Sequence, residues 1–157
     1  MIAVVQRVTE ARVVVEGRTV GEIGAGLLVL AAVERGDTAA DVEWTASKLA
    51  GLRIFRNGEK HFDLDVKQVG GAMLLVSNFT VAGETKKGRR PSLEGAASPE
   101  EGRVMFDAFV EAVRRLGVPV ATGEFGADMK VSLTNDGPVT FLVRSRTNEV
   151  TSTPSLS

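Results

Sequence analysis

Three short stretches of this chain hold side chains whose types and spacing could do chemistry. The first is VSNFT at residues 76–80, where Ser77, Asn78 and Thr80 set two hydroxyls and an amide around the ring of Phe79. An apolar strand that ends this way makes a pocket floor. The same pattern also suits a strand end whose polar groups satisfy neighbouring backbone. The second stretch is ETKKGRRPS, in which Lys86, Lys87, Arg89 and Arg90 surround Gly88. Next to a polar pocket such a run holds phosphates; as a plain charge run it is a solvated loop. It lacks the interleaved aromatics of a stacking platform for single strands.

The third stretch is NDGPVT at 135–140. Asp-Gly between two strand-like runs predicts a hairpin turn, with Gly137 supplying the positive φ that such turns demand. A turn leaves Pro138 unexplained. Proline at a strand start surrenders a ladder hydrogen bond, so carbonyls near it point away from a partner strand, and an edge-strand proline is the plain alternative. The dipeptide is stiff on its proline side and free of side-chain bulk on its glycine side. A cis peptide at this bond costs only about 0.5–1 kcal/mol.

Composition removes several other chemistries. Cysteine is absent, so thiolate nucleophiles, disulfides and cysteine-based zinc sites are excluded. The single histidine, His61, rules out a multi-histidine metal centre and would have to serve any serine triad. Its surroundings, NGEKHFDLD, read as a turn and an exposed strand. Nineteen basic against twenty acidic residues give a net charge of −1, so any contact with a polyanion must be local. The first residues, MIAVVQRVTEARVVVEG, lack a secretory pattern, and no apolar run approaches a membrane span. A cytoplasmic location is expected.

The elements that must position these groups follow from periodicity. Valine-rich residues 2–15 read as strand, EGR at 16–18 as a turn, and TVGEIG and LLVLAAV as further strands. A first helix begins after Asp37 or Thr38, with Thr38 and Asp41 as a capping pair and Val42, Thr45, Ala46 and Leu49 on one face, and ends near Gly51. LRIF at 52–55 reads as a strand, NG at 57–58 as a turn, and AMLLVSNFTV as an apolar strand. A second helix is capped by Ser98, Pro99 and Glu101, and carries Phe106, Phe109, Val110 and Val113 on one face; Gly117 and Pro119 stop it. Strands are expected at 120–125, 130–134 and 139–143. The whole predicts an α+β domain over 1–145, with mostly antiparallel or mixed sheets in a barrel-like layer structure with two principal helices. Residues 146–157 read as a disordered tail.

In combination, VSNFT, KKGRRPS and GADMKVSLTNDGPVT resemble the D-aminoacyl-tRNA deacylase family. The resemblance runs on through AVVQRV at 3–8, VGEIGAGLLVLAAVERGDT at 20–38 and LRIF, and reaches about Val143. It implies a homodimeric enzyme, without metal or cofactor, that hydrolyses the ester joining a D-amino acid, or mischarged glycine, to the 3′ end of tRNA. It further implies that Gly137 and Pro138 form a cis peptide reaching into the partner subunit's site and that Arg7 holds this segment. Ser77, Phe79 and Thr80 become the catalytic strand end, and Asn78, Met129 and Asn135 join Gly137 and Pro138 against the substrate. Lys86, Lys87, Arg89 and Arg90 are the tRNA contacts. Asn78 departs from the family's usual glutamine, and its shorter amide reaches about one methylene less far.

The residues alone leave the chemistry open. Thr80 could attack the ester, or backbone N–H groups near Phe79 and Thr80 could stabilise an oxyanion while water attacks. Two other classes also fit: a noncatalytic module that binds D-amino acids or tRNA ends, and a small-molecule esterase using Ser77 or Ser132 with His61.

Overall fold

The structure, a computed structural model, describes residues 1–146. Strand β1 (Ile2–Val15) is its hub, pairing antiparallel with β2 (Arg18–Ile23), β3 (Gly26–Ala32) and β8 (Lys130–Arg144). Strand β3 then pairs in parallel with β6 (Ala72–Ser77), and β6 in parallel with β7 (Val120–Thr122). Parallel neighbours need long crossovers. Helix α1 (Ala39–Gly51) lies in the first and α2 (Pro99–Arg115) in the second. A small hairpin of β4 (Phe55–Asn57) and β5 (Lys60–Leu64) follows α1.

Both faces of the central strands are buried, which explains why LLVLAA is continuously apolar rather than alternating. Leu27, Val29 and Ala31 join Met73, Leu75 and the helix residues Leu49, Phe109 and Val113 in one core. Leu28 and Leu74 point the other way, into a second core with Val8, Val13, Val15 and Ile23. That second core is the interior of a nearly closed barrel, because β2 curls round to meet β7. Gly21 sits at the seam: a Cβ there would lie 2.1 Å from the Thr122 carbonyl oxygen. A glycine is what lets the two backbones approach.

The helices begin where capping chemistry predicts. Asp41 accepts from the Thr38 N–H at 2.8 Å and from its hydroxyl at 3.2 Å. Ser98 Oγ accepts from the Glu101 N–H at 3.3 Å, with Pro99 in the first turn. The NG turn also forms, with Gly58 at φ 59°.

Four expectations are corrected. The expected Asp-Gly hairpin does not exist, because residues on both sides of Gly137 pair with β1 in one antiparallel ladder. LRIF is not a strand; pairing starts only at its last residue, Phe55. The apolar strand of the middle region stops at Ser77, and Phe79–Ala82 wind into a 3₁₀ turn. The strand expected at 120–125 ends at Thr122. Of the expected tail, Arg146 is anchored: its guanidinium meets Asp37 at 2.8 Å and the Arg35 carbonyl at 2.9 Å. Residues 147–157 lie outside the described residues.

Burial pushes the Asp41 carboxyl up, but the Thr38 N–H, the Ser145 hydroxyl, the Met1 ammonium and the Thr38 hydroxyl together outweigh it and hold the group below its ordinary value. A carboxylate with a depressed pKa in the folded state contributes stability above its unfolded pKa and loses it as pH falls through the folded one. Asp41→Asn is therefore expected to cost about 1 kcal/mol at pH 7. In urea titrations that difference narrows below about pH 4. A gap that stays constant down to pH 2 contradicts the charged cap.

Candidate active site

The end of β6 and the mouth of the barrel enclose a cavity of about 840 Å³, within the range of small-molecule sites. Its floor is apolar, built from Leu30, Val76, Met129 and Val131, with Phe125 further along the wall. Ser77, Asn78 and Phe79 line it where β6 gives way to the 3₁₀ turn. The turn starts at this mouth. Asn78 N–H bonds the Ala31 carbonyl at 2.8 Å and Val81 N–H bonds the Asn78 carbonyl at 3.2 Å. The N–H groups of Phe79 and Thr80, first in the turn, have no hydrogen-bond partner among the described residues.

Thr80 is exposed and does not line the cavity. Its hydroxyl donates to Asn78 Oδ1 at 2.6 Å. No hydrogen bond joins His61 to Ser77 or Ser132 among the described residues; His61 lies on the β4–β5 hairpin and Ser132 on β8. The basic run rides on a loop closed by paired hydrogen bonds of 2.8 Å between Glu84 and Ser92. Lys86, Lys87, Arg89 and Arg90 are all exposed there, and the loop returns to the cavity through Leu93.

Gly137 and Pro138 stand elsewhere. Between Gln6 and Val8 the β1 register advances two residues while β8 runs five, from Thr140 back to Asn135. Three residues of β8 therefore bulge out of the ladder. Their peptide Gly137–Pro138 is cis, both residues are exposed, and Gly137 has φ 135°. The bulge is braced from beneath. Arg7, 3% exposed, donates from Nε to the Asp136 carbonyl at 3.1 Å and from Nη1 to the Ile54 carbonyl at 2.8 Å. Its Nε also lies 3.3 Å from the Asp136 carboxylate. Asn135 Nδ2 donates to the carbonyls of Arg7 and Val139, both at 2.9 Å, and so replaces the missing ladder bonds.

Against known proteins, the model of the family described as D-Tyr-tRNA(Tyr) deacylase matches residues 4–144. This chain belongs to that family. The deacylase family is one of hydrolases, so the noncatalytic reading is set aside. Relatives include the D-aminoacyl-tRNA deacylase of Geobacter sulfurreducens, 56% identical over 93% of this chain and 96% of that one. The deacylase of Methylococcus capsulatus is also 56% identical, over 92% and 94%. Among solved structures, one titled c-Myc DNA Unwinding Element Binding Protein aligns with a TM-score of 0.90 at 36% identity, covering 94% of this chain and all of that one. A probable eukaryotic D-amino acid tRNA deacylase, at 18% identity and a TM-score of 0.75, shares the fold.

Within one deacylase chain, the expected site residues fall into two groups. Ser77, Asn78, Phe79 and Met129 meet at the cavity, whereas Arg7, Asn135, Gly137 and Pro138 form the braced bulge. None of Arg7, Asn135, Gly137 and Pro138 lines the cavity. Sequence reasoning missed Arg35, Leu93, Ala96 and Ala97 on the cavity wall. Only Arg35 carried a signal, as a charge directly after an apolar strand.

Arg7→Lys is expected to lower the unfolding free energy by about 1.5–3 kcal/mol, since a single ammonium cannot hold the Asp136 and Ile54 carbonyls at once. Urea denaturation reads this directly, and an unchanged midpoint would show that the bulge does not depend on the brace.

Proposed function

We propose that this chain hydrolyses the ester between a D-amino acid and the 3′ end of tRNA, in the cytoplasm, and rejects L-aminoacyl-tRNA by shape. The activity rests on its likeness to curated deacylases over nearly their whole length. The stereochemical reading is carried by one observation, the exposed and braced main-chain bulge at Gly137–Pro138.

Two enantiomers carry identical groups, so pocket polarity cannot tell them apart. A rigid object must occupy the place that one isomer's side chain needs. Backbone with a fixed φ suits that task, because a side chain rotates away on collision. Gly137 and Pro138 do not line their own chain's cavity, so the proposal includes a homodimer in which each subunit offers them to its partner's cavity. The apolar residues exposed on and beside β8, Leu133, Phe141, Leu142 and Phe62, supply surface for that contact. Glycine lacks the colliding side chain, so glycyl-tRNA is accepted as well.

In the chemical step, a water oxygen bonds to the ester carbonyl carbon, and the N–H groups of Phe79 and Thr80 hold the oxyanion that forms. The carbon–oxygen bond to ribose then breaks, and the departing ribose oxygen takes up the proton that the water gives up. The tRNA's own terminal 2′-hydroxyl assists the water. Thr80 is a poor nucleophile here, because its proton already engages Asn78 and no histidine is near to remove it. Ser77 and Asn78 then border the acyl group, with Met129 beneath it, while Lys86, Lys87, Arg89 and Arg90 meet acceptor phosphates in a salt-sensitive contact.

Incubated with the purified chain, D-tyrosyl-tRNA should lose its ester at least about a hundredfold faster than in buffer, while L-tyrosyl-tRNA decays at the buffer rate. Equal rates for both enantiomers would remove the shape argument, and no acceleration of either would remove the activity. With tRNA ending in 2′-deoxyadenosine, turnover should fall by about a hundredfold or more. Undiminished turnover of that substrate sinks the assisted-water route.

A further inference from the structure

Of the twenty residues lining the 840 Å³ cavity, Arg35 alone carries a charge. It follows β3, and the chain turns immediately afterwards at Gly36, with φ 83°. Its backbone is fixed on both sides: the N–H bonds the Gly95 carbonyl at 2.9 Å, and the carbonyl accepts from Arg146 Nη2 at 2.9 Å. The side chain is tethered once, from Nε to the Ala96 carbonyl at 3.3 Å. Neither terminal amino group has a hydrogen-bond partner, and no carboxylate lies within 4.0 Å of the guanidinium, among the described residues. The nearby acids Glu34, Asp37, Glu100 and Glu101 line a separate depression of about 470 Å³, which shares only Val33 and Ala97 with the cavity.

An aminoacyl ester offers this guanidinium no full negative charge at its acyl end, only a carbonyl oxygen that accepts a neutral hydrogen bond. The carboxylate is esterified there, and the α-ammonium would be repelled. The negative charge nearest such an ester is the phosphate on the 5′ side of the terminal nucleotide. Two free N–H-bearing groups in a planar fork match phosphate oxygens bidentately; the residue is exposed, and its fork is held against the cavity wall by the Nε tether to Ala96. Resting on the deacylase reading, we propose that Arg35 binds the 5′-phosphate of the terminal nucleotide and so registers the ester against Ser77, Asn78 and Phe79. This contact is distinct from the basic loop, whose charges meet phosphates further along the strand.

The test compares two small esters, D-tyrosyl-adenosine 5′-monophosphate and D-tyrosyl-adenosine, with the full chain and with Arg35→Gln and Arg35→Lys. The wild type is expected to favour the phosphorylated ester about tenfold in kcat/KM, mainly through KM. Arg35→Gln brings that ratio to about one, and Arg35→Lys keeps part of it. Because the ratio is internal to each variant, a general loss of folded protein cancels. A wild-type ratio near one, or a ratio that Arg35→Gln leaves unchanged, overturns the assignment. So does inhibition by free D-tyrosine that weakens in Arg35→Gln while the ratio stays put, since this would make Arg35 a carboxylate site. A wild type that hydrolyses neither these esters nor D-tyrosyl-tRNA would instead bring down the deacylase reading itself.

Discussion

The arrangement turns on a buried guanidinium holding a piece of strand out of its ladder. A three-residue bulge in a long edge strand would ordinarily leave carbonyls unpaired and the loop free to relax toward regular pairing. Arg7 prevents both outcomes. Its Nε and Nη1 satisfy carbonyls from two different elements, Asp136 on β8 and Ile54 before β4, and Asn135 bridges the ladder gap from the other side. Arginine suits this position because its donors are fixed in one plane, so two acceptors are held in a set geometry at once. The glycine is constrained by the same contacts: a Cβ on Gly137 would lie 2.7 Å from Val139 Cγ2 and 3.3 Å from Arg7 Nη2.

The cavity depends on a different constraint, the two-sided burial of β3 and β6. With helices covering one face and the barrel interior behind the other, these strands have no solvent face on which to carry function. Chemistry can appear only where they end. At Ser77 the ladder with Ala31 stops, the 3₁₀ turn begins, and unpaired N–H groups become available together with hydroxyl and amide side chains. The interior residues Leu30, Val76 and Met129 continue directly into the cavity floor, so the apolar pocket is the open end of the barrel core.

Much of this was legible in the sequence, and the failures share a cause. Helix limits could be read because capping is local: Thr38 with Asp41, and Ser98 with Glu101, act over three residues. Ser77, Asn78 and Phe79 could be located because a long apolar run ended in polar residues. The Asp-Gly pair misled because hairpin chemistry is also local, whereas here the decisive contacts come from residue 7, roughly 130 positions away in the chain. The same holds for Arg35, whose setting depends on the Gly95 and Ala96 carbonyls of a distant segment. Long-range pairing can override a turn signal when a side chain such as Arg7 satisfies what the turn would have satisfied. Nothing in the periodicity reveals that.

The proposed sorting device also fixes its own limitation. Discrimination by collision acts only on a substituent that is present, so whatever geometry rejects an L side chain has nothing to strike in glycine. Tightening the gap cannot help, because the smallest D-residue must still pass and glycine is smaller. Excluding glycine would require a group that recognises the D side chain positively, yet side chains differ in size and chemistry, and such a group would narrow the range of D-residues accepted. A wide, mostly apolar cavity is what breadth of this kind requires. On this reading, tolerance of many D-residues and acceptance of glycine are one property of the cleft, and neither can be altered without the other.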